Sequence, residues 1–452
     1  MISTTESVFA LARNWSSAYR KALGQVSRDS SIALVDQGIV SGSRFVTTIL
    51  IGRFCGAQQL GEFALAFQLS MLLVVAMEAV ISTPYIIFCN RYDGKERTDY
   101  AGSALLHSAG LAGVAMALLA LAAVFMSAGP SNSDFSDVIW ILLAITPFIV
   151  LREFGRRFAF AHLQMGTAML LDLVNAVLQI TAIIWLASAG LLSATTALWA
   201  VGVAAGLSGI GWLVHEWRSF TFRFGKVIPD LVKNWTAGRW LFGSSVVASG
   251  TDTSIYWILA FSSGLTATGI FAACMTVVQL SNPVLLGLGN VLQPATAKAY
   301  HDDGIRAVKR IVKNGQLALG ALMTVYLLAV ILVGADVIAY LYQGAEYSGQ
   351  EHTVIVLGLF VLVSALELSP NFGLRILEKT RPVFFIKVLE TGVILTVIFL
   401  LAKDYGVLAI VYGLLSGAVV ATIILSLMLF RTVDRPVKSV TESRLAGLEN
   451  HK

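Results

Sequence analysis

Two stretches, 101–128 and 407–430, contain no Asp, Glu, Lys or Arg. Each is long enough as a helix to cross ~30 Å of hydrocarbon at ~1.5 Å per residue. Similar apolar runs recur along all 452 residues, broken only by short polar segments. A chain of this pattern cannot hide its apolar surface in a water-soluble core. The composition agrees: 56% of the residues are hydrophobic and 13% are charged, against ~25% charged in soluble domains. A soluble enzyme is excluded, and the sequence reads as an all-α polytopic membrane protein.

Twelve spans are expected, at about 31–52, 64–88, 100–127, 137–151, 167–188, 194–215, 240–262, 268–290, 315–334, 353–370, 383–402 and 406–430. The fourth is short and has room to extend into Asp134 or Arg152. With the N-terminus inside, 29 of the 32 Lys and Arg residues fall on the cytoplasmic side. Only Arg53 and Lys403 fall outside, and Arg44 lies within the first span. This segregation follows the positive-inside rule and places both termini in the cytoplasm. The net charge of +5 thus reflects topology and contact with anionic lipid headgroups, not nucleic-acid binding. The mostly polar first thirty residues show no cleavable signal peptide and suit either an interfacial amphipathic helix or disorder.

The chain also repeats itself. At an offset of 208, Ser41-Gly42 meets Ser249-Gly250, Gly56 meets Gly264, and Gly61-Glu62-Phe63-Ala64 meets Gly269-Ile270-Phe271-Ala272. At 210, Pro84 meets Pro294 and Asp93-Gly94 meets Asp303-Gly304; at 218, Phe154-Gly155-Arg156-Arg157 meets Phe372-Gly373-Leu374-Arg375. The expected organisation is an N-terminal segment (1–30), an N-lobe (31–215), a cytoplasmic inter-lobe loop (216–239), a C-lobe (240–430) and a cytoplasmic tail (431–452). Six spans per lobe make the repeats parallel, with substrate expected at their interface. This favours a two-lobed transporter over a channel or a membrane-embedded enzyme.

No nucleotide-binding Gly-rich loop, hydrolase motif or metal-ligand spacing occurs, and Cys55, Cys89 and Cys274 read as isolated thiols. His107 and His215 read as packed or interfacial groups. No catalytic residue, cofactor or metal site is therefore expected. The informative residues are charges inside apolar spans, which are costly unless paired or hydrated. Arg44, Glu78, Asp252 and Asp36 are the candidate cavity residues. Asp172, Glu367 and Glu390 are further acids of this kind. Asp36, Val40 and Arg44 share one helix face. Arg152, Arg156, Arg157, Arg239 and Arg375 are expected at the inner mouth of the cavity. Arg44 and Asp252 are equivalent in the repeat, which suggests a cross-cleft ion pair; a pair between Arg44 and Glu78 is the alternative.

The stretch Val35-Asp36-Gln37-Gly38 through Ser41-Gly42, with Ile51-Gly52-Arg53, Gly56 and Leu60-Gly61-Glu62-Phe63-Ala64, resembles the opening of polysaccharide-biosynthesis membrane proteins. These include O-antigen flippases of the multidrug/oligosaccharidyl-lipid/polysaccharide exporter superfamily. Arg152-Glu153-Phe154 with Arg157 and Phe160-Ala161, and Asn234-Trp235 with Gly238-Arg239-Trp240, are similar to the same family, as is the stretch from Gly269 to Pro294. The resemblance implies a twelve-helix inner-membrane flippase that moves a polyprenyl-pyrophosphate-linked oligosaccharide between leaflets by alternating access. Its implied partners are the lipid-linked glycan, membrane lipids, and a polysaccharide polymerase or glycosyltransferases. One feature opposes it: deep acids outnumber deep bases, which suits a cation-coupled drug antiporter of the same superfamily. A non-transporting scaffold of a polysaccharide synthase complex is a third reading. The charge segregation makes one outcome explicit: a cysteine at position 403 reacts with a membrane-impermeant thiol reagent added outside. Labelling only from the cytoplasmic side overturns the orientation.

Overall fold

The computed structural model describes residues 3–127 and 133–432, with side chains described from about residue 35 and few gaps thereafter. The suggested N-terminal amphipathic face and the C-terminal tail beyond 432 lie outside the described side chains. All regular structure among the described residues is helical: α1 (Ser3–Met77), α2 (Thr83–Cys89), α3 (Gly94–Ser127), α4 (Ser133–Ala161), α5 (Met165–Ser188), α6 (Ala194–Glu216), α7 (Phe224–Val278), α8 (Asn282–Tyr342), α9 (Glu351–Ile376), α10 (Thr380–Tyr405) and α11 (Val407–Arg431). A π-helical turn over Glu78–Ser82 joins α1 to α2.

Ten of the described helical stretches are long and apolar enough to cross a membrane. Two of these, Val35–Cys89 and Ser245–Gly289, are hairpins and not straight rods. The Arg44 guanidinium lies 4.5 Å from the Phe67 ring centroid, whereas 23 residues of straight helix would separate them by ~35 Å. The chain reverses at Gly56 (φ 83°, ψ 176°). In the same way the Tyr256 and Phe271 rings are 5.1 Å apart, on either side of Gly264 (φ 88°, ψ 174°). Glycine reverses the helix here because the backbone needs a positive φ that a Cβ would strain. Counting each hairpin as two gives twelve helices. Gly304 (φ 68°) breaks α8 similarly, and Gly94, its partner in the repeat, also has positive φ (51°).

The two halves meet near the Gly56 and Gly264 turns. A Cβ on Gly61 would collide with the Leu265 carbonyl, and one on Gly269 would collide with the Ala57 carbonyl. Leu265 and Ala57 are themselves 208 residues apart. The contact is therefore reciprocal, each half placing a glycine against the other's backbone, as small residues permit between membrane helices. Glu346 reinforces this end by accepting the Ala57 N–H at 2.9 Å, and the Tyr347 hydroxyl donates to the Gly52 carbonyl at 3.2 Å.

Two segments differ from the sequence expectation. The fourth span continues through Arg152 to Ala161, because the charges on that helix are neutralised inside the protein. The inter-lobe segment 216–239 is largely helix from Phe224 onward. Its polar side docks on the N-half: Tyr100 donates to Asn234 at 2.6 Å, Lys226 reaches Asp99 at 3.3 Å, and the Lys233 ammonium sits 4.0 Å from the Phe88 ring centroid and bonds Tyr92. Phe224, Ile228, Val232 and Trp235 stay exposed on its other side, at the spacing of an interfacial helix.

The glycine crossing yields a stability prediction. Gly61→Ala and Gly269→Ala are each expected to cost about 1–3 kcal/mol through overpacking. The double variant should cost less than the sum, because one movement of the helices relieves both clashes. Denaturant unfolding in detergent micelles measures this; additive costs would refute a single shared crossing.

Candidate functional site

A cavity of about 550 Å³ lies between the two halves. It is within the ~300–1,000 Å³ range of small-molecule sites. The first arm of the α1 hairpin contributes Arg44 and Thr47, and its second arm contributes Phe67 and Gln68. Arg152 comes from α4, Asn175 and Gln179 from α5, and Asp252 and Tyr256 from the first arm of the α7 hairpin. Arg44 stacks on Phe67 and donates to the Met71 sulfur at 3.5 Å. No carboxylate among the described residues pairs with it. An aromatic face and a thioether hold a guanidinium in place while leaving its donors available to an anion.

Arg44 and Asp252 therefore line one cavity from opposite halves without forming an ion pair in this structure. Glu78 does not pair with Arg44 either, because Arg157 holds it at 2.9 Å. Glu78 lines a smaller crevice of about 280 Å³ together with Ser245 and Ser249, and Ser249 also lines the main cavity. The π-helical turn begins at Glu78; such turns are frequent at functional sites.

Behind the cavity runs a buried charge network within the N-half. Arg152 and Arg156, and likewise Glu153 and Arg157, are four residues apart on α4, so these four charges lie along one side of the helix. Arg156 bonds Asp36 at 3.1 Å and Asp172 at 2.6 Å. Arg152 bonds Asp172 as well, and Arg157 bonds Glu153 at 3.0 Å. Asp36 and Asp172 are 3% and 1% exposed, so neither faces bulk water. Of the candidate residues, Asp36, Arg156 and Arg157 thus belong to the network, and Arg152 touches both the network and the cavity. Arg239 and Arg375 are exposed, the latter in the last turn of α9.

The neutral lining was not singled out from the sequence. Asp172, Asn175 and Gln179 follow i, i+3, i+7 spacing on an otherwise apolar helix, a polar stripe that could have been found. Gln179 donates to Thr47 at 2.8 Å and Asn175 to Gln179 at 3.4 Å, which fixes these amides along the cavity wall. In the C-half, Lys387 bonds Glu390 at 2.8 Å and Thr251 bonds Thr391 at 2.8 Å, which packs α7 against α10 beside Asp252.

The profile of the family described as "polysaccharide biosynthesis protein" matches residues 26–300. No curated protein matches the sequence significantly. Among solved structures, an inward-facing multidrug-resistance MATE-family transporter of the MOP superfamily superposes with a TM-score of 0.71 at 15% identity, covering 90% of this chain and 95% of that one. The lipid II flippase MurJ in an inward closed conformation gives 0.67 at 11% identity, over 92% and 96%. A MOP-superfamily transporter from Pyrococcus furiosus, described as having a binding pocket of reverse polarity, gives 0.65 at 14% identity, over 90% and 94%. The chain belongs to the polysaccharide biosynthesis protein family and has the fold of the MOP-superfamily transporters.

Proposed function

We propose that the protein flips a polyprenyl-pyrophosphate-linked oligosaccharide across the cytoplasmic membrane for surface polysaccharide biosynthesis. In this reading twelve helices cross the membrane as two parallel six-helix repeats, with both termini in the cytoplasm. The repeat matches, and the like backbone of Gly56 and Gly264, support that arrangement. The Gly61–Gly269 crossing then lies toward the outer leaflet and the cavity opens toward the cytoplasm, where the lipid-linked glycan is assembled.

The observation that carries the reading is Arg44: a guanidinium on the inter-lobe cavity that no carboxylate among the described residues neutralises. A pyrophosphate is the dianion-rich group such a fork recognises, and the amide- and hydroxyl-bearing walls suit a sugar. Alternating access follows if the glycine crossing parts while the half opposite closes. Glycosyltransferases or a polymerase would supply and consume the lipid-linked glycan.

The second reading is a cation-coupled drug antiporter, favoured by Asp252 on the same cavity. A deletion strain distinguishes the two. Loss of the protein should leave lipid-linked glycan in the inner leaflet and abolish the surface polysaccharide. Complementation with Arg44→Gln should lower flipping at least about tenfold, the effect of losing a charge-assisted contact. Normal surface glycan with new sensitivity to cationic dyes would transfer the assignment to the antiporter.

A further inference from the structure

Arg44 and Asp252 occupy equivalent positions. Each lies twelve residues before its hairpin glycine, Gly56 or Gly264. Along a helix this is ~18 Å from the turn in both halves, and the two turns are held together by the Gly61–Gly269 crossing. The two charges thus face one cavity at like depth from opposite walls.

The walls are chemically unlike. Arg44 is backed by Phe67, whereas the position equivalent to Phe67 on the other wall is Met275. Asp252 has Thr253 beside it and Tyr256 one turn further along. Among the described residues no donor hydrogen-bonds to the Asp252 carboxylate. Lys387 is close enough to influence it electrostatically, but that ammonium is bonded to Glu390 at 2.8 Å. A carboxylate accepts hydrogen bonds and offers none. Asp252 can therefore be satisfied by hydroxyl or amide N–H groups of a ligand, and it repels a second anion.

From this juxtaposition, and resting on the flippase reading above, we infer that Asp252 selects the sugar attached to the pyrophosphate. It accepts an uncharged proximal sugar, whose hydroxyl or amide groups donate to it, and rejects an acidic one. A cavity of about 550 Å³ encloses only a headgroup-sized portion of a long glycan. The portion gripped when Arg44 holds the pyrophosphate is the sugar next to it. Discrimination thus falls on that first sugar, while later sugars extend beyond the cavity unread.

The test uses the full chain in proteoliposomes with three synthetic probes: a short polyprenyl pyrophosphate, the same carrier bearing one N-acetylhexosamine, and the same carrier bearing one hexuronate. The unaltered protein should bind the neutral-sugar probe about tenfold or more tightly than the uronate probe. Asp252→Asn, which keeps the shape and removes the charge, should abolish most of that ratio by improving uronate binding. Arg44→Gln should weaken all three probes, the bare carrier included. Binding of the bare carrier with no sugar preference, or a preference that Asp252→Asn leaves unchanged, would overturn the selection by Asp252 alone. Absence of any carrier binding would overturn the flippase reading and the inference with it. If tetraphenylphosphonium binds instead, and Asp252→Asn abolishes that binding, Asp252 is a cation site and the inference fails.

Discussion

A charge in hydrocarbon must find a partner or water, and that requirement organises this molecule more than any single apolar contact. In the N-half the requirement is met by mutual pairing: three guanidiniums of α4 are interleaved with Asp36, Glu78, Glu153 and Asp172. The network fastens the first arm of α1, the π-turn before α2, α4 and α5 to one another. Removing Asp36 or Asp172 would leave buried guanidinium charge uncompensated, a loss of roughly 3–5 kcal/mol. Arg44 and Asp252 meet the requirement differently. They face the cavity, so water satisfies them when no ligand is present, and their unpaired state makes them available for binding.

The glycines supply a complementary property, a place where the backbones of the two halves approach closely. The contact between Gly61 and Gly269 sets main chain against main chain, which only residues without a Cβ permit. The added contacts from Glu346 to the Ala57 N–H and from Tyr347 to the Gly52 carbonyl are single hydrogen bonds. Each contributes only about 0.5–1.5 kcal/mol net. A buried apolar cluster that includes Leu60, Phe63, Leu259, Phe271 and Tyr342 also joins the halves at this end, so alternating access would have to repack that cluster as well as part the glycines.

Helix number was legible because hydrocarbon thickness sets span length. Gly56 and Gly264 could be matched by sequence, yet their role as one-residue reversals could not, since a lone glycine inside an apolar run is equally compatible with a straight helix. The fourth span was cut short at 151 for a related reason. Arg152, Arg156 and Arg157 look like loop residues until the carboxylates that neutralise them are known, and those lie on three other helical segments. Arg44 and Asp252 were identifiable as intramembrane charges, but helix rotation decided their partners. Rotation depends on packing that no single segment encodes.

The repeat also constrains how specificity can arise. Arg44 and Asp252 match at the 208-residue offset and line one cavity, so an unmodified duplicate of either would present two arginines or two aspartates there. Two arginines would hold a pyrophosphate symmetrically and leave the attached sugar facing a cation it cannot satisfy. Two aspartates would exclude the pyrophosphate altogether. One of each gives a cavity with a direction, so that a ligand with an anionic end and a hydrogen-bond-donating end enters in one orientation. On this cavity the asymmetry resides in a few side chains: Arg44 and Asp252 carry opposite charges, and Phe67 stands where the matched position has Met275.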